Sequence, residues 1–497
     1  MDPATSTATA LVAALARREV SSAELLESLL DRVERVNPGI NAVVALDAER
    51  ALAAADRADR ATVAGGPTGP LHGLPMTVKD VWETEGLVTT SGAPELRHHL
   101  PTTDALAVAR LRAAGAVIFG KTNTPLYAGD FQTYNEVYGR TNNPWDTSRT
   151  AGGSSGGAAA AVAAGLTPLE LGSDIGGSIR NPAHFNGVYG LKPSWGVVPS
   201  RGHIPGPPGS LVEADVNCNG PLARGLDDLG LALGVVAGPV PEEAVGWHLS
   251  LDPGPRLGSP ADLRVATVFA QGRDVLPLAA DVGARLEGLA DGLARAGAAV
   301  EEVALPVPLG EGLRTWQDLV VPIIGAGLAD DEYAELTALE GVPGDDPVLH
   351  GGRAITARFR TWARANALRQ RHRAAWAELF QRYDVVLAPV MPTAAFPHDV
   401  ERSMVERELD VDGIPVSHLV AMAWCGAVGS VLLPVVTLPT GRTPAGLPVG
   451  VQVIGPYLSD LRLLGLAALL DEAAGPGFEA PRGTALLSGS PGEGGIW

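Results

Sequence analysis

Two glycine–serine stretches constrain this chain more than any other feature: TAGGSSGG at 150–157 and GSDIGGSIRNP at 172–182, with the run AAAAVAAG (158–165) between them. Paired glycines tolerate left-handed backbone and let a main chain approach a ligand closely, but they also make flexible linkers. The alanine run reads as the start of a helix whose small side chains permit close packing. LTPLELGSD (166–174) reads as a short strand or extended run feeding the second motif. The question is whether Ser154, Ser155 and Ser178 are chemistry or punctuation.

Lysine usage narrows the search. Of 37 basic residues only Lys79, Lys121 and Lys192 are lysines, and all three fall between residues 79 and 192, with the glycine–serine motifs. A general preference for arginine explains the scarcity. A lysine kept against that preference stands out, because lysine can lose its proton when buried and arginine cannot.

The remaining composition mostly excludes. Hydrophobic residues at 46% and charged residues at 19% support a large core and argue against disorder. A net charge of −19 and a pI near 4.9 speak against nucleic-acid or anionic-membrane partners, which need a basic surface. Two cysteines far apart, Cys218 and Cys425, make neither a disulfide framework nor a metal cluster. The N-terminus has no signal-peptide pattern, and DLVVPIIGAGLA (318–329), interrupted by Pro322, is too short to span a bilayer. A cytoplasmic protein is the expectation.

Along the chain, residues 21–36 predict an amphipathic helix opened by a Ser21–Glu24 capping box and stopped by Asn37-Pro38-Gly39. LPMTVK (74–79) and AVIFG (116–120) read as strands. Residues 104–114 and 278–298 read as helices, and 353–382 as one long arginine-rich helix or a pair. YDVVLAPVMP and SVLLPVVTLP are strand-like, and 475–497 reads as a loose Gly/Pro/Ser-rich tail. Strands mixed with helices in this order suggest one large α/β unit over 1–474.

Two motif matches fail on context. GAVIFGKT (115–122) fits the P-loop spacing, but the apolar strand lies between its glycines rather than before them, and Pro125 follows too soon for a helix. Lys121 is better read as a structural donor to backbone carbonyls. GGSSG (152–156) fits a nucleophile elbow, but the residues before it are polar where an apolar strand is required.

The motifs taken together are more specific. GLPMTVKD (73–80), GKTNTP (120–125), NNPWDTSRTAGGSSGG (142–157), GSDIGGSIRNPAHFNGVYGLKPS (172–194) and GLPVGVQVIGP (446–456) resemble the amidase signature family over nearly the full length, weakest at about 240–380. The resemblance implies a single α/β/α domain around a large mixed, mostly parallel central sheet, with a core motif region at 70–205 and a variable substrate-lining region at about 240–380.

The residues and the resemblance point to the same chemistry. A serine attacking an amide must lose its proton as it attacks. No histidine is tied to the motifs, which leaves a lysine as base, provided burial lowers its pKa from about 10.4. Lys79 ends an apolar strand, which suits desolvation; a surface lysine paired with Asp80 is the plain alternative. By resemblance Ser178 is the nucleophile, Ser154 the bridging serine with a cis peptide to Gly153, and Lys79 the base. The resemblance also implies an oxyanion hole made by the backbone N–H groups of Ile175, Gly176, Gly177 and Ser178. Ser155 would hold the loop, and Asp174 and Arg180 would brace it as an ion pair unless they are simply solvated.

The family implies hydrolysis of a small-molecule amide, with esters or carbamates accepted, and no metal or organic cofactor. Its other branch is the glutamine-hydrolysing component of a tRNA-dependent amidotransferase complex, whose Ser-Leu-Asp-Gln-Ile-Gly-Pro-like segment is replaced here by GSLVEADVNCNGPLAR (209–224). Candidate pocket walls are Tyr127, Phe131, Trp316 and Trp362, which could equally be core aromatics. The oligomeric state is open, a homodimer included.

Overall fold

The computed structural model describes residues 2–255, 257–344 and 346–481. Eleven of its strands form two sheets. Val43–Leu46 (β1), Pro75–Lys79 (β2) and Val117–Thr122 (β3) make a small sheet in the order β1-β3-β2. Leu169–Asp174 (β4), Tyr189–Lys192 (β5), Cys218–Ala223 (β6), Arg264–Thr267 (β7), Ala299–Glu302 (β8), Val385–Pro389 (β9), Val435–Arg442 (β10) and Pro448–Ile454 (β11) make the main sheet, in the order β8-β7-β9-β11-β10-β5-β6-β4. β2 packs beside β4, the edge strand of the main sheet, so the small sheet extends the large one.

Sequence explains why these segments sit inside. β9 (VVLAP) and β11 (PVGVQVI) are buried at every position, reading as continuous apolar runs rather than half-exposed alternation. The helices Leu226–Val236, Ala280–Arg295 and Asp460–Ala474 pack on the sheet and on one another. Gly156–Ala163 and Arg180–Asn186 form a second group against β4 to β6, β10 and β11. The architecture is the expected α/β/α domain around a large mixed sheet.

Its strand directions correct one expectation. In the main sheet only β7·β8 and β7·β9 are parallel, and the other five pairings are antiparallel. The reason is local: β10 and β11 are joined by the short turn around Thr443–Leu447, and a tight hairpin can join only antiparallel strands.

The first long helix also departs from its predicted end. It runs Ser22–Ile40, through Asn37-Pro38-Gly39. The Asn37 side chain accepts from the Ala42 and Val43 N–H groups and donates to the Val43 carbonyl, tying the last turn to β1. The stop is Asn41, left-handed at φ +55°. The arginine-rich region is a pair of helices, Pro347–Ala354 and Phe359–Leu379. No helix among the described residues is long and apolar enough to cross a membrane. Of the expected tail, 475–481 has neither helix nor strand, and 482–497 lie outside the described residues.

Candidate active site

Lys79 is the last residue of β2 and has no solvent exposure, which excludes a surface lysine paired with Asp80. Asp80 is itself buried, and its carboxylate accepts from the N–H and hydroxyl of Thr90. Lys79 Nζ donates to Ser154 Oγ at 2.7 Å and to Ser173 Oγ at 3.1 Å. Burial pushes its pKa down to about 7, against the opposing pull of Asp174 and Glu170. Lysine with that pKa is partly neutral at physiological pH.

The Gly153–Ser154 peptide is cis. The backbone of 130–132 runs directly beneath it, so that a Cβ at Gly153 would lie 2.5 Å from the Asp130 carbonyl oxygen. Thr133 fastens the same turn, donating to the Gly152 carbonyl at 2.8 Å and accepting from Gly156 N–H at 3.1 Å. The Ser155 N–H donates to the Ser178 carbonyl at 3.0 Å and its hydroxyl to the Ser173 carbonyl at 3.3 Å. The first of these bonds brings the two glycine–serine loops together. The Ser154 and Ser178 hydroxyls do not hydrogen-bond to each other, and Ser178 Oγ has no partner among the described residues.

Asp174 organises the second loop. Its carboxylate accepts from the backbone N–H groups of Gly177 (2.8 Å), Ile179 (3.0 Å) and Arg180 (3.3 Å), and from the Arg180 guanidinium at 2.7 and 2.9 Å. Both side chains are fully buried, so the solvated alternative is excluded. Burial alone would raise the Asp174 pKa; the Arg180 charge and hydrogen bonds outweigh it and hold the group down to about 2. Arg180 reaches on to the Cys425 carbonyl and Gln452 Oε1, locking the loop to β11. Asp174→Asn leaves this guanidinium buried without its counter-charge, and a loss of about 3–5 kcal/mol is expected, read by urea unfolding. A loss below about 1 kcal/mol would mean that the neutral hydrogen bonds alone suffice.

Of the four N–H groups expected to face an oxyanion, that of Gly177 donates to Asp174 instead. Ile175, Gly176 and Ser178 are the N–H groups of that stretch without an intramolecular partner among the described residues. Gly177 sits at φ +126°, where only glycine is comfortable, and a Cβ at Gly176 would meet Met422 Cε at 2.7 Å and the Trp316 ring at 2.9 Å. The glycines are therefore required by the packing behind the loop.

The four aromatic candidates separate. Trp316, buried on the helix Leu309–Gly325, donates its indole N–H to the Ile175 carbonyl at 2.8 Å and so supports the loop from behind. Phe131 is buried near Gly153, its ring centroid 5.4 Å from that of His418. Tyr127 lies at the surface and hydrogen-bonds Glu95. Trp362 stacks on Phe359, which is 78% exposed. Lys121 lies inside β3 and donates to the Trp82 carbonyl and to Thr84, so the P-loop spacing has no P-loop geometry behind it. Both cysteines are buried and free, and burial raises each thiol pKa, Cys425 to about 12.

The Amidase family model matches residues 24–464. The chain belongs to the amidase family. Among similar proteins, an indoleacetamide hydrolase of Bradyrhizobium diazoefficiens is 34% identical over 474 residues, covering 93% of this chain and 85% of that one. A glutamyl-tRNA(Gln) amidotransferase component from Thermus thermophilus is 35% identical over 506 residues, covering 95% and 98%. A bacterial aryl acylamidase of the amidase signature family superposes with a TM-score of 0.80 at 25% identity, covering 95% of this chain and 96% of that structure. This amidase is accordingly a hydrolase of carbon–nitrogen bonds in non-peptide amides.

Several site residues of the amidase escape a reading of the sequence. Ser173 is visible inside GSD, yet its role as a second acceptor for Lys79 depends on β2 packing beside β4. Thr133 and Trp316 reach the loops from distant parts of the chain, and no local pattern signals such contacts.

Proposed function

We propose that this amidase cleaves a small-molecule carboxylic amide through an acyl-enzyme on Ser178. Ser178 Oγ attacks the carbonyl carbon while its proton passes to Ser154 Oγ, whose own proton passes to Lys79 Nζ. The N–H groups of Ile175, Gly176 and Ser178 stabilise the oxyanion. As the tetrahedral intermediate collapses, the C–N bond breaks and the proton held by Lys79 returns through Ser154 to the leaving amine. Water, deprotonated by the same relay, then attacks the acyl ester and frees the acid and Ser178. The observation that carries this reading is the buried 2.7 Å hydrogen bond from Lys79 to Ser154, made where solvent cannot compete. Esters and carbamates fit the same steps, an ester more easily because its leaving group needs less help.

A second reading is the glutamine-hydrolysing component of an amidotransferase complex. It is favoured by full-length relatives of that kind at 35% identity, and opposed by the lack of an Asp-Gln pair in 209–224. One experiment separates the readings. The purified protein is treated with a fluorophosphonate, the modified residue is mapped by peptide mass spectrometry, and ammonia or amine release is measured on aryl amides, aliphatic amides and glutamine. Labelling at Ser178 with turnover of the simple amides is expected. Labelling with turnover of glutamine alone would favour the amidotransferase reading, and labelling elsewhere would overturn the acyl-enzyme assignment.

A further inference from the structure

Beneath Lys79 lies an ionisable group that the proposed mechanism does not use. Glu170, on β4, is fully buried, and neither carboxyl oxygen has a hydrogen-bond partner among the described residues. Its polar neighbours are the hydroxyls of Thr77 and Thr122, which favour its ionised form but complete no hydrogen bond with it and have no other partner among the described residues. Their places are informative. Thr77 lies two residues before Lys79, on the same face of β2, and Thr122 is the register partner of Lys79 across β2 and β3. Lys79, Thr77 and Thr122 thus share one neighbourhood, and the Glu170 charge acts on the lysine within it. A buried carboxyl without partners is costly and rarely kept without a role.

We propose that Glu170 is a positioning residue that sets the pH at which Lys79 becomes a base, its carboxylate stabilising the lysine ammonium. This rests on the reading of Lys79 as the base of the Ser178 relay. Burial raises the Glu170 pKa to about 7, the region where Lys79 titrates, and the Glu170 charge pulls the lysine pKa upward. Glu170 therefore titrates in concert with both buried lysines, Lys79 and Lys121. Where Glu170 is ionised, Lys79 takes up the serine proton and gains its positive charge beside a carboxylate.

The other charges around Lys79 and Glu170 are distinguishable. Asp174, on the same strand, pulls the Lys79 pKa upward more strongly than Glu170 does, but Arg180 keeps it ionised, so its pull is constant across the working range. Asp80, which follows Lys79, acts on Lys121 and is held by Thr90. Lys121, from β3, is lowered by burial to about 8; Glu170 pulls on it as well as on Lys79, whereas Glu83 and Asp104 act on Lys121 and not on Lys79. His203 is held near 3, first by burial and then by the Lys79 charge, and stays neutral through the working range.

The test is the pH dependence of the second-order rate of fluorophosphonate labelling at Ser178, which needs no substrate. Labelling requires neutral Lys79, so it rises with pH through the lysine pKa. Glu170→Gln removes the carboxylate and is expected to move that limb to lower pH by more than about 0.5 unit, with Glu170→Asp restoring part of the shift. Thr122→Val keeps the carboxyl but disfavours its charge, and is expected to move the limb the same way by less. If Glu170→Gln does not fold, Thr122→Val decides. A limb that stays put or moves upward, with labelling still at Ser178, overturns the role of Glu170 alone. Wild-type labelling away from Ser178 overturns the underlying mechanism instead.

Discussion

Replacing Ser178 by alanine is expected to reduce amide turnover by on the order of 10⁶-fold, the scale seen when an acyl-enzyme nucleophile is lost. Stability should hardly change. Ser178 Oγ has no hydrogen-bond partner among the described residues, and the main-chain bond from Ser155 N–H to the Ser178 carbonyl is untouched by the substitution. The expected result is thus an inactive enzyme that unfolds within about 2 °C of the parent, read by steady-state turnover and a thermal melt on one preparation. An active Ser178→Ala enzyme would remove the nucleophile assignment. An inactive one that melts much earlier would show that the hydroxyl supports the fold.

Lys79→Ala is expected to cost about 10⁴-fold on amides and only about 10²-fold on esters of the same acid, within the usual range for acid–base groups. The difference comes from the second half of the reaction. An amine leaves only after receiving a proton, and Lys79 holds the one to return, whereas an alkoxide or phenoxide leaves with less assistance. Equal losses on the two substrates would contradict that role. The wild-type pH profile carries the same signature with a defined sign. Lys79 works as the neutral amine, so kcat/KM should rise with pH through about 7, the lowered lysine value, and fall as acid protonates it. Lys79→Ala should abolish this limb. A wild-type profile flat from pH 6 to 9 (about two units above and one below the lysine value) would mean that another group is the base.

How much of the site is legible in advance depends on where each contact partner lies. Lys79, Ser154 and Ser178 stand out because scarce lysine, paired serines and paired glycines are local properties of the text. The decoy at 115–122 is excluded the same way, since a strand placed between the glycines leaves no loop for a phosphate, and Lys121 indeed sits inside β3. The helix stop falls beyond its expected place because Asn37 is held by β1, whose pairing with β3 is non-local. Glu170 resembles any strand residue until Thr77 and Thr122 are brought around it. The aromatic candidates cannot be sorted by composition: Trp316 supports the nucleophile loop, while Tyr127 lies at the surface.

Motif spacing and residue type are carried along the chain, so the family, the candidate reactive side chains and their likeness to a serine–lysine hydrolase follow from residue order alone. The electrical state of those side chains does not, and it comes from the packing of distant segments. Lys79 is a feasible base because β2 and β4 close over it and exclude water. Gly177 N–H serves Asp174 because Arg180, anchored to Cys425 and Gln452, keeps that carboxylate ionised and in place. Desolvation and charge pairing act through space over a few ångströms, among segments hundreds of residues apart, and no local pattern encodes them.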